Sequence, residues 1–429
     1  MNIPLDRLYQ FIENIAETIY GDRVIIYRFF PHGSKNIQDL NQIRQQNWFE
    51  DNTRPNVWCH DQEPLNHEYY QQHLRQRDNG EFSQVMERLV GKNPVKNLNY
   101  NNNIFSKGLL VHSEQRSDEI EKYHSEGELI PVYYWSHAVI ARDWFRYAQH
   151  VVQHKQVTKK FLIYSRAWSN TREYRLRFAE LLILTDLQDH CKTTVNPIEP
   201  ELGIHYNLHQ FRNTTWRPQT ILENYFTTSN ASSTYSADFD LEDYESTDIE
   251  VVLETLFDDN RLHLTEKSLR PIACAQPFIL VGTHGSLEYL RSYGFKTFGA
   301  VWDESYDQIE DPEQRMIAIA DLMKQLNNCP AEIWAEKITQ ARAIADYNRQ
   351  WFFSQDFFNL VVDELKQNLT TAFDLLRVLP ASQTWINIAN AMLTSDEIKQ
   401  FLDRMDPAIG LTIKNITQAL IRSEQLGSQ

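Results

Sequence analysis

The sequence predicts an α/β fold in two units with a helical extension. Three observations point that way. Short apolar runs of strand length alternate with stretches of helical periodicity through most of the chain. One break in that alternation, near residues 152–158 (VQHKQVT), leaves two series of ordinary domain size. A chain of 429 residues, 42% hydrophobic and 23% charged, can bury more than one core and is too apolar to be a disordered tail.

The N-terminus, MNIPLDRLYQFIENIAETIY, is an amphipathic helix pattern with Leu5, Leu8, Phe11, Ile12 and Ile15 on one stripe. The runs at 23–29, 55–59, 108–112 and 129–135 then read as strands, separated by helical patterns at 67–90 and 114–125 and followed by another at 138–153. After the break, strands are expected at 160–165, 249–254, 277–282 and 295–298, with helices at 172–184, 266–275 and 285–293. From about residue 310 the chain reads as helix only. The expected units are therefore 1–155, 156–348 and a helical part, 349–429, whose aromatic-rich first half packs across the other two.

Net charge is −16, from 42 basic and 58 acidic side chains, which taken whole argues against a polyanion-binding surface. By segment the picture changes: residues 1–200 carry 24 basic and 25 acidic side chains, and 201–429 carry 18 and 33. The most cationic stretch runs through Lys155, Lys159, Lys160, Arg166, Arg172, Arg175 and Arg177, so DNA as a partner stays open. Acid collects in the Ser/Thr-rich stretch 226–250, read as a loop, and in 303–346, read as solvated helix faces. Cys59, Cys191, Cys274 and Cys329 lack CxxC spacing, which argues for a reducing compartment. With no signal peptide pattern and no apolar run of spanning length, the expectation is a cytoplasmic protein without a membrane span. Neither GxGxxG nor GxxxxGK[ST] occurs.

Four constellations carry chemistry. In HLTEKSLRPIACAQPFILVG, Thr265 is a good N-cap that puts Glu266 and Lys267 in the first helical turn and Arg270 one turn on. A lysine there opposes the helix dipole, so with free backbone N–H groups it makes an anion site, and the carboxylate can accept from sugar hydroxyls. The structural alternative is a surface helix with a Glu266–Arg270 pair. In KFLIYSRAWSNTREYRLRF, Arg166 leaves a strand's carboxyl end, with Arg172 and Arg175 on one face of the next helix and Arg177 paired to Glu173. In VWCHDQEPLN, Asp61 and Glu63 follow a strand, and Pro64 keeps Glu63 out of helix geometry, displaying a candidate general base or a mere turn acid. A metal cluster of His60, Asp61, Glu63 and His67 matches no standard spacing, so no metal site is assigned. In PVYYWSHAVIARDWF, His137 leaves a strand among aromatics and is read either as facing a cleft or as a structural histidine.

Taken in order, YSRAWSNTREYRLRF and LTEKSLRPIACAQPFILVG resemble the nucleotide-sugar half of the inverting fucosyltransferases, over about 161–185 and 249–300. The resemblance implies a GT-B fold of two facing Rossmann-like domains, the first on the acceptor side and the second binding a nucleoside diphosphate sugar. It implies that Glu266 holds the donor ribose, Lys267 the diphosphate, and Arg172 or Arg175 a phosphate. Asp61-Gln62-Glu63-Pro64 resembles the family's base position only loosely. The motifs DQEPL, YYWSHA and YSRAWS also look like proteins encoded by bacteria and their viruses, which would place the protein in a bacterial cytoplasm. The expected activity is transfer from a nucleotide sugar to an acceptor hydroxyl, on a glycan or on a hydroxymethylated pyrimidine in DNA. A non-catalytic nucleotide- or glycan-binding module is the alternative. A nucleotidyl transferase using Glu254, Asp258 and Asp259 is a third reading. No cofactor beyond the donor is expected, and the sequence does not set the oligomeric state.

Overall fold

A computed structural model describes residues 3–4, 7–28, 55–68, 108–125, 129–150, 153–200, 202–220, 222 and 239–378. Helix α1 (Leu8–Tyr20) precedes strands β1 (Ile25–Arg28), β2 (Asn56–His60) and β3 (Gly108–His112). Next come α2 (Asp118–Ser125), β4 (Leu129–Tyr133) and α3 (Ser136–Trp144). The second half begins with β5 (Lys159–Ile163), α4 (Tyr174–Leu184), β6 (Cys191–Thr193) and a ribbon of β7 (Ile198–Glu199) and β8 (Ile204–His205). It continues through α5 (Leu241–Glu245), β9 (Thr247–Leu253), α6 (Glu266–Ala273), β10 (Phe278–Val281) and α7 (Ser286–Ser292). Three long helices close the described chain: α8 (Pro312–Asn327), α9 (Ala331–Phe353) and α10 (Gln355–Val378).

The fold is α/β with two four-stranded parallel sheets. The first has the order β1-β2-β3-β4, and its inner strands β2 and β3 are buried along their whole length, as continuous apolar runs in parallel sheets are. Gly108 opens β3 because a Cβ there would lie 2.7 Å from the Asn56 carbonyl oxygen. The second sheet has the order β10-β9-β5-β6. Its strand order reverses between β5 and β9, which makes the carboxyl ends of that pair the natural ligand crevice of a doubly wound sheet.

The loops beyond the strand ends of the two sheets are joined. Gln115 and Leu262 exchange two backbone hydrogen bonds of 2.8 Å, Trp135 Nε1 donates to the Leu264 carbonyl (2.9 Å), and Arg261 donates to the Leu65 carbonyl (2.9 Å). Helix α9 lies against the second half, where Arg342 pairs with Asp248 (2.7 Å) and Trp351 donates to the Tyr293 carbonyl. Helix α10 lies against the first, with Phe358 near Phe11, Phe373 near Tyr20, and Asn368 donating to the Tyr133 carbonyl. Buried Arg142 binds the carbonyls of Phe352, Phe353 and Ser354, satisfying the carboxyl end of α9 where the chain turns.

Several expectations need correction. Residues 295–298 form no strand: Phe295 and Phe298 are core aromatics, the latter stacked on Trp302. The short strand β6 gave no apolar run to find. The acidic end of 226–250 is not a loop. Asp243 pairs with Lys192 (2.6 Å), Asp248 with Arg342 and Glu250 with Arg270 (2.5 Å), all three acids buried in α5 and β9. The cationic run is largely spent inside the fold, Lys155 on the Tyr244 and Thr247 carbonyls, Lys159 on that of Asp189, and Lys160 on those closing α8. Arg177 pairs with Glu180 and Glu313 rather than Glu173. The boundary expected at 349 falls inside α9. Most of the 67–90 helix, residues 226–238 and the 380–429 tail lie outside the described residues. Among the described residues no helix is long and apolar enough to cross a membrane.

Candidate functional site

The site is organised by one carboxylate. Glu254 is the first residue past β9 and fully buried, and it closes the amino end of α6 with both oxygens. Its Oε1 accepts from the N–H groups of Thr265 (3.1 Å) and Ser268 (3.2 Å) and from Ser268 Oγ (2.5 Å). Its Oε2 accepts from Thr265 Oγ1 (2.8 Å) and the Thr255 N–H (3.0 Å). Thr265 is the N-cap the sequence indicates, its Oγ1 accepting from the Lys267 N–H (3.4 Å). The expected anion site of free backbone N–H groups is thereby corrected: this helix end is already occupied by protein oxygens.

What remains for a ligand is the side chains. Lys267 Nζ sits 2.7 Å from Glu266 Oε1, 3.2 Å from Thr255 Oγ1 and 3.3 Å from Thr265 Oγ1, at the carboxyl end of β9. Those three contacts use the ammonium's three protons, so an incoming phosphate displaces hydroxyls that bind it less strongly. Glu266 Oε2 lies 3.5 Å from His137 Nε2, which comes from the first half of the chain. Burial holds the His137 imidazole neutral, down to about 3, against the pull of Glu266 and Glu63. The contact is thus between a carboxylate and a neutral ring. His263 stands edge-on to His137 (5.2 Å between centroids), with Nδ1 3.2 Å from the Ser113 carbonyl oxygen.

Glu63 is half-buried just beyond β2, and its charge raises the affinity of both His60 and His137 for a proton. Glu63, His137, Glu266 and Lys267, from three separate sequence motifs, therefore share one electrostatic environment. Asp61 does not join them. It is fully buried and turned into the core, accepting from the phenols of Tyr9 (2.9 Å) and Tyr134 (2.5 Å), with its carboxyl pushed up by burial. Its role is corrected from catalytic to structural.

The arginines divide as well. Arg166 and Arg172 are half-buried in the loop beyond β5, on the other side of the switch point. Arg172 ends a short 3₁₀ turn (Asn170–Arg172) ahead of α4, so it does not share a helix face with Arg175. Arg175 is buried and donates to the carbonyls of Ala167, Leu253 and Glu254, tying the two strand-end loops together instead of meeting a phosphate. Arg270 is buried beneath Tyr164 and paired with Glu250, not with Glu266, so it too leaves the candidate donor set. The loop carries two buried hydroxyls, Ser165 Oγ and Ser169 Oγ, with no hydrogen-bond partner among the described residues, next to backbone held by buried Glu199.

Sequence reading missed His263, these serines and the capping role of Glu254. The carboxylate set Glu254, Asp258 and Asp259 that a nucleotidyl transferase would use is not one cluster, because Asp258 accepts from Trp216 and Asp259 pairs with Arg261. The available signal for Glu254 was its position, directly after a buried strand and upstream of an N-cap threonine. Among the described residues no group of three or more His, Cys, Asp or Glu is arranged to hold a metal ion. Comparison with family models, curated proteins and solved structures gives no significant match to the chain.

Proposed function

We propose that the protein is a nucleotide-sugar-dependent inverting glycosyltransferase, its two sheets acting as the acceptor-side and donor-side halves of a GT-B arrangement. The observation that carries this reading is the placement of Lys267 and Glu266 at the carboxyl end of β9, beside the β5/β9 switch point and 3.5 Å from His137 of the other half. A cation at a switch point suits a diphosphate, and a carboxylate beside it suits the paired hydroxyls of a ribose. The partners are then an NDP-sugar and an acceptor hydroxyl.

In the proposed step Glu63 takes the acceptor proton, the acceptor oxygen bonds to the anomeric carbon, and the bond from that carbon to the phosphate oxygen breaks with inversion. Charge developing on the leaving nucleoside diphosphate is met by Lys267, Arg166 and Arg172. Neutral His137 acts on Glu266, whose Oε2 it orients. A glycan acceptor is favoured over modified DNA, because Lys155, Lys159, Lys160, Arg175 and Arg177 are committed to internal partners.

Thermal unfolding with a panel of nucleotide sugars tests the reading. At a hundredfold excess over Kd the correct donor stabilises the wild type by about 2.7 kcal/mol. Lys267→Ala should abolish the shift while leaving the ligand-free midpoint close to wild type. If no nucleotide sugar stabilises or is turned over by the wild-type chain, the proposal fails. Stabilisation without turnover toward any glycan, or toward hydroxymethylated duplex DNA at low and moderate salt, would instead mark a binding module.

A further inference from the structure

The loop that displays Glu63 is held at its far end by the other half of the molecule. That loop, 61–65, follows β2, and its start is fixed by its own half: Asp61 is sealed in the core on the phenols of Tyr9 (2.9 Å) and Tyr134 (2.5 Å). Its end is a bracketed peptide. The Leu65 N–H donates to Glu114 Oε1 (2.7 Å), and the Leu65 carbonyl accepts from Arg261 Nη1 (2.9 Å), with the two charged groups 3.5 Å apart. The Leu65 side chain packs with Trp58, Leu110, Tyr123 and Leu129, which sets its depth, while the bracket sets the rotation of its peptide. Only Pro64 stands between that peptide and Glu63. Its ring fixes φ and keeps Glu63 extended, so few soft dihedrals remain through which Glu63 could swing.

Arg261 is itself aimed. Asp259 accepts the Arg261 N–H on Oδ1 (2.9 Å) and both Nε (2.7 Å) and Nη2 (2.6 Å) on Oδ2. That leaves Nη1 to cross to the first half, a division of labour that a lysine's single ammonium cannot reproduce. The residues after it keep the halves joined: Leu262 pairs with Gln115, His263 Nδ1 donates to the Ser113 carbonyl (3.2 Å), and the Leu264 carbonyl accepts from Trp135. Thr265 then caps α6, and Lys267 follows. One short segment therefore carries both the group that holds the Glu63 loop and the ammonium proposed for the diphosphate.

We infer that Arg261 is a positioning residue for glycosyl transfer: from the donor half it fixes the loop that aims Glu63, so the base is in place only where the two halves meet. The inference rests on the reading of Glu63 as the base. Displacing a reacting group by about 1 Å is enough to cost about 10²-fold in rate. Loss of Arg261 acts on that placement, whereas Glu254 and Thr265 still close α6 and leave Lys267 to hold the donor.

Steady-state kinetics on the full chain tests it, with UDP-glucose, UDP-galactose, GDP-mannose and GDP-fucose as donors and p-nitrophenyl glycosides as acceptors. Arg261→Ala should lower kcat about 10²-fold, while donor Kd measured by calorimetry stays within about a factor of two. In a Glu63→Gln background the same substitution should cost less than about twofold, because a residue that acts through the base has nothing left to position. A merely structural role would be additive there. Asp259→Asn keeps the Arg261 charge but loosens its guanidinium from a partly exposed position, and serves if Arg261→Ala does not fold. It should show the same pattern with kcat down about tenfold, the size of one weakened hydrogen bond to a charged group. Amide exchange at Leu65 should quicken in both variants. Additive losses in the Glu63→Gln background, wild-type kcat in a folded variant, or unchanged exchange at Leu65 overturns the inference. If the wild type turns over none of the donors, glycosyl transfer fails and takes this inference with it; with an active wild type, those results overturn the inference alone.

Discussion

At the scale of single residues, burial separates groups that work from groups that hold. Arg172 and Arg175 have the same chemistry three positions apart, yet one is half-buried on a strand-end loop and the other is sealed against three carbonyls. Arg175→Ala strands those carbonyls and should lower stability by about 3 kcal/mol in denaturant titrations. Arg172→Ala should leave unfolding nearly unchanged and weaken nucleotide-sugar binding about tenfold, read by calorimetry. Equal effects of the two on binding would contradict the division. Glu63→Gln removes the proposed base, so kcat should fall by about 10²- to 10⁴-fold while donor affinity stays within a factor of two or so. A Glu63→Gln enzyme with wild-type kcat would move the base elsewhere. Sequence alone placed Thr265, Glu266 and Lys267 correctly in the first turn of α6, because capping chemistry is local. It could not separate Asp61 from Glu63, since which of two nearby acids turns inward depends on Tyr9 and Tyr134, partners 52 and 73 positions distant.

At the scale of elements, the decisive feature is how β9 delivers its end to α6. Strand positions were legible because parallel strands are continuous apolar runs, and seven of those expected are found, each within a few residues. The strand order was not legible, and it is the order β10-β9-β5-β6 that puts Glu254 and Arg166 on either side of one crevice. Nor could the sequence show that α6's amino end is filled by a buried acid, since a helix start advertises its N-cap and not a carboxylate arriving from a strand. Glu254→Ala should therefore act twice. Losing charged hydrogen bonds to a helix end costs about 3 kcal/mol of stability, seen as a lower denaturant midpoint. Releasing Thr265 and Ser268 also loosens the turn that carries Lys267, so the donor KM should rise with kcat less affected. Unchanged donor KM in a folded Glu254→Ala protein would show that Lys267 is positioned without this cap.

At the scale of the whole molecule, the meeting of the two halves concentrates imidazoles in one buried region. His60 and His112 are register partners at the ends of β2 and β3, and His137 follows β4. Burial lowers them from 6.5 to about 4, about 3 and about 3, with repulsion from His263 adding to the effect in each. A base whose folded pKa is depressed contributes stability that is complete above its unfolded value and is lost as pH falls toward the folded one. The window therefore opens at about pH 6.5 and extends down to about 4. By pH 5 each imidazole protonated only in the unfolded chain costs about 2 kcal/mol, and the three imidazoles together contribute close to three protons bound on unfolding. Buried carboxyls work in the opposite direction: Asp307, pushed up to about 6, offsets close to one of these protons between pH 6.5 and 5, and burial pushes Asp61 and Glu114 up as well, so each imidazole is read from the difference between wild type and its own variant. Unfolding free energy measured against pH in that interval should fall with a slope that loses about one proton in His137→Gln and again in His112→Asn. Slopes left unchanged by both substitutions would mean that these rings are solvated or charged in the folded protein, and that the two halves do not close over them as the Gln115–Leu262 and Trp135–Leu264 contacts require.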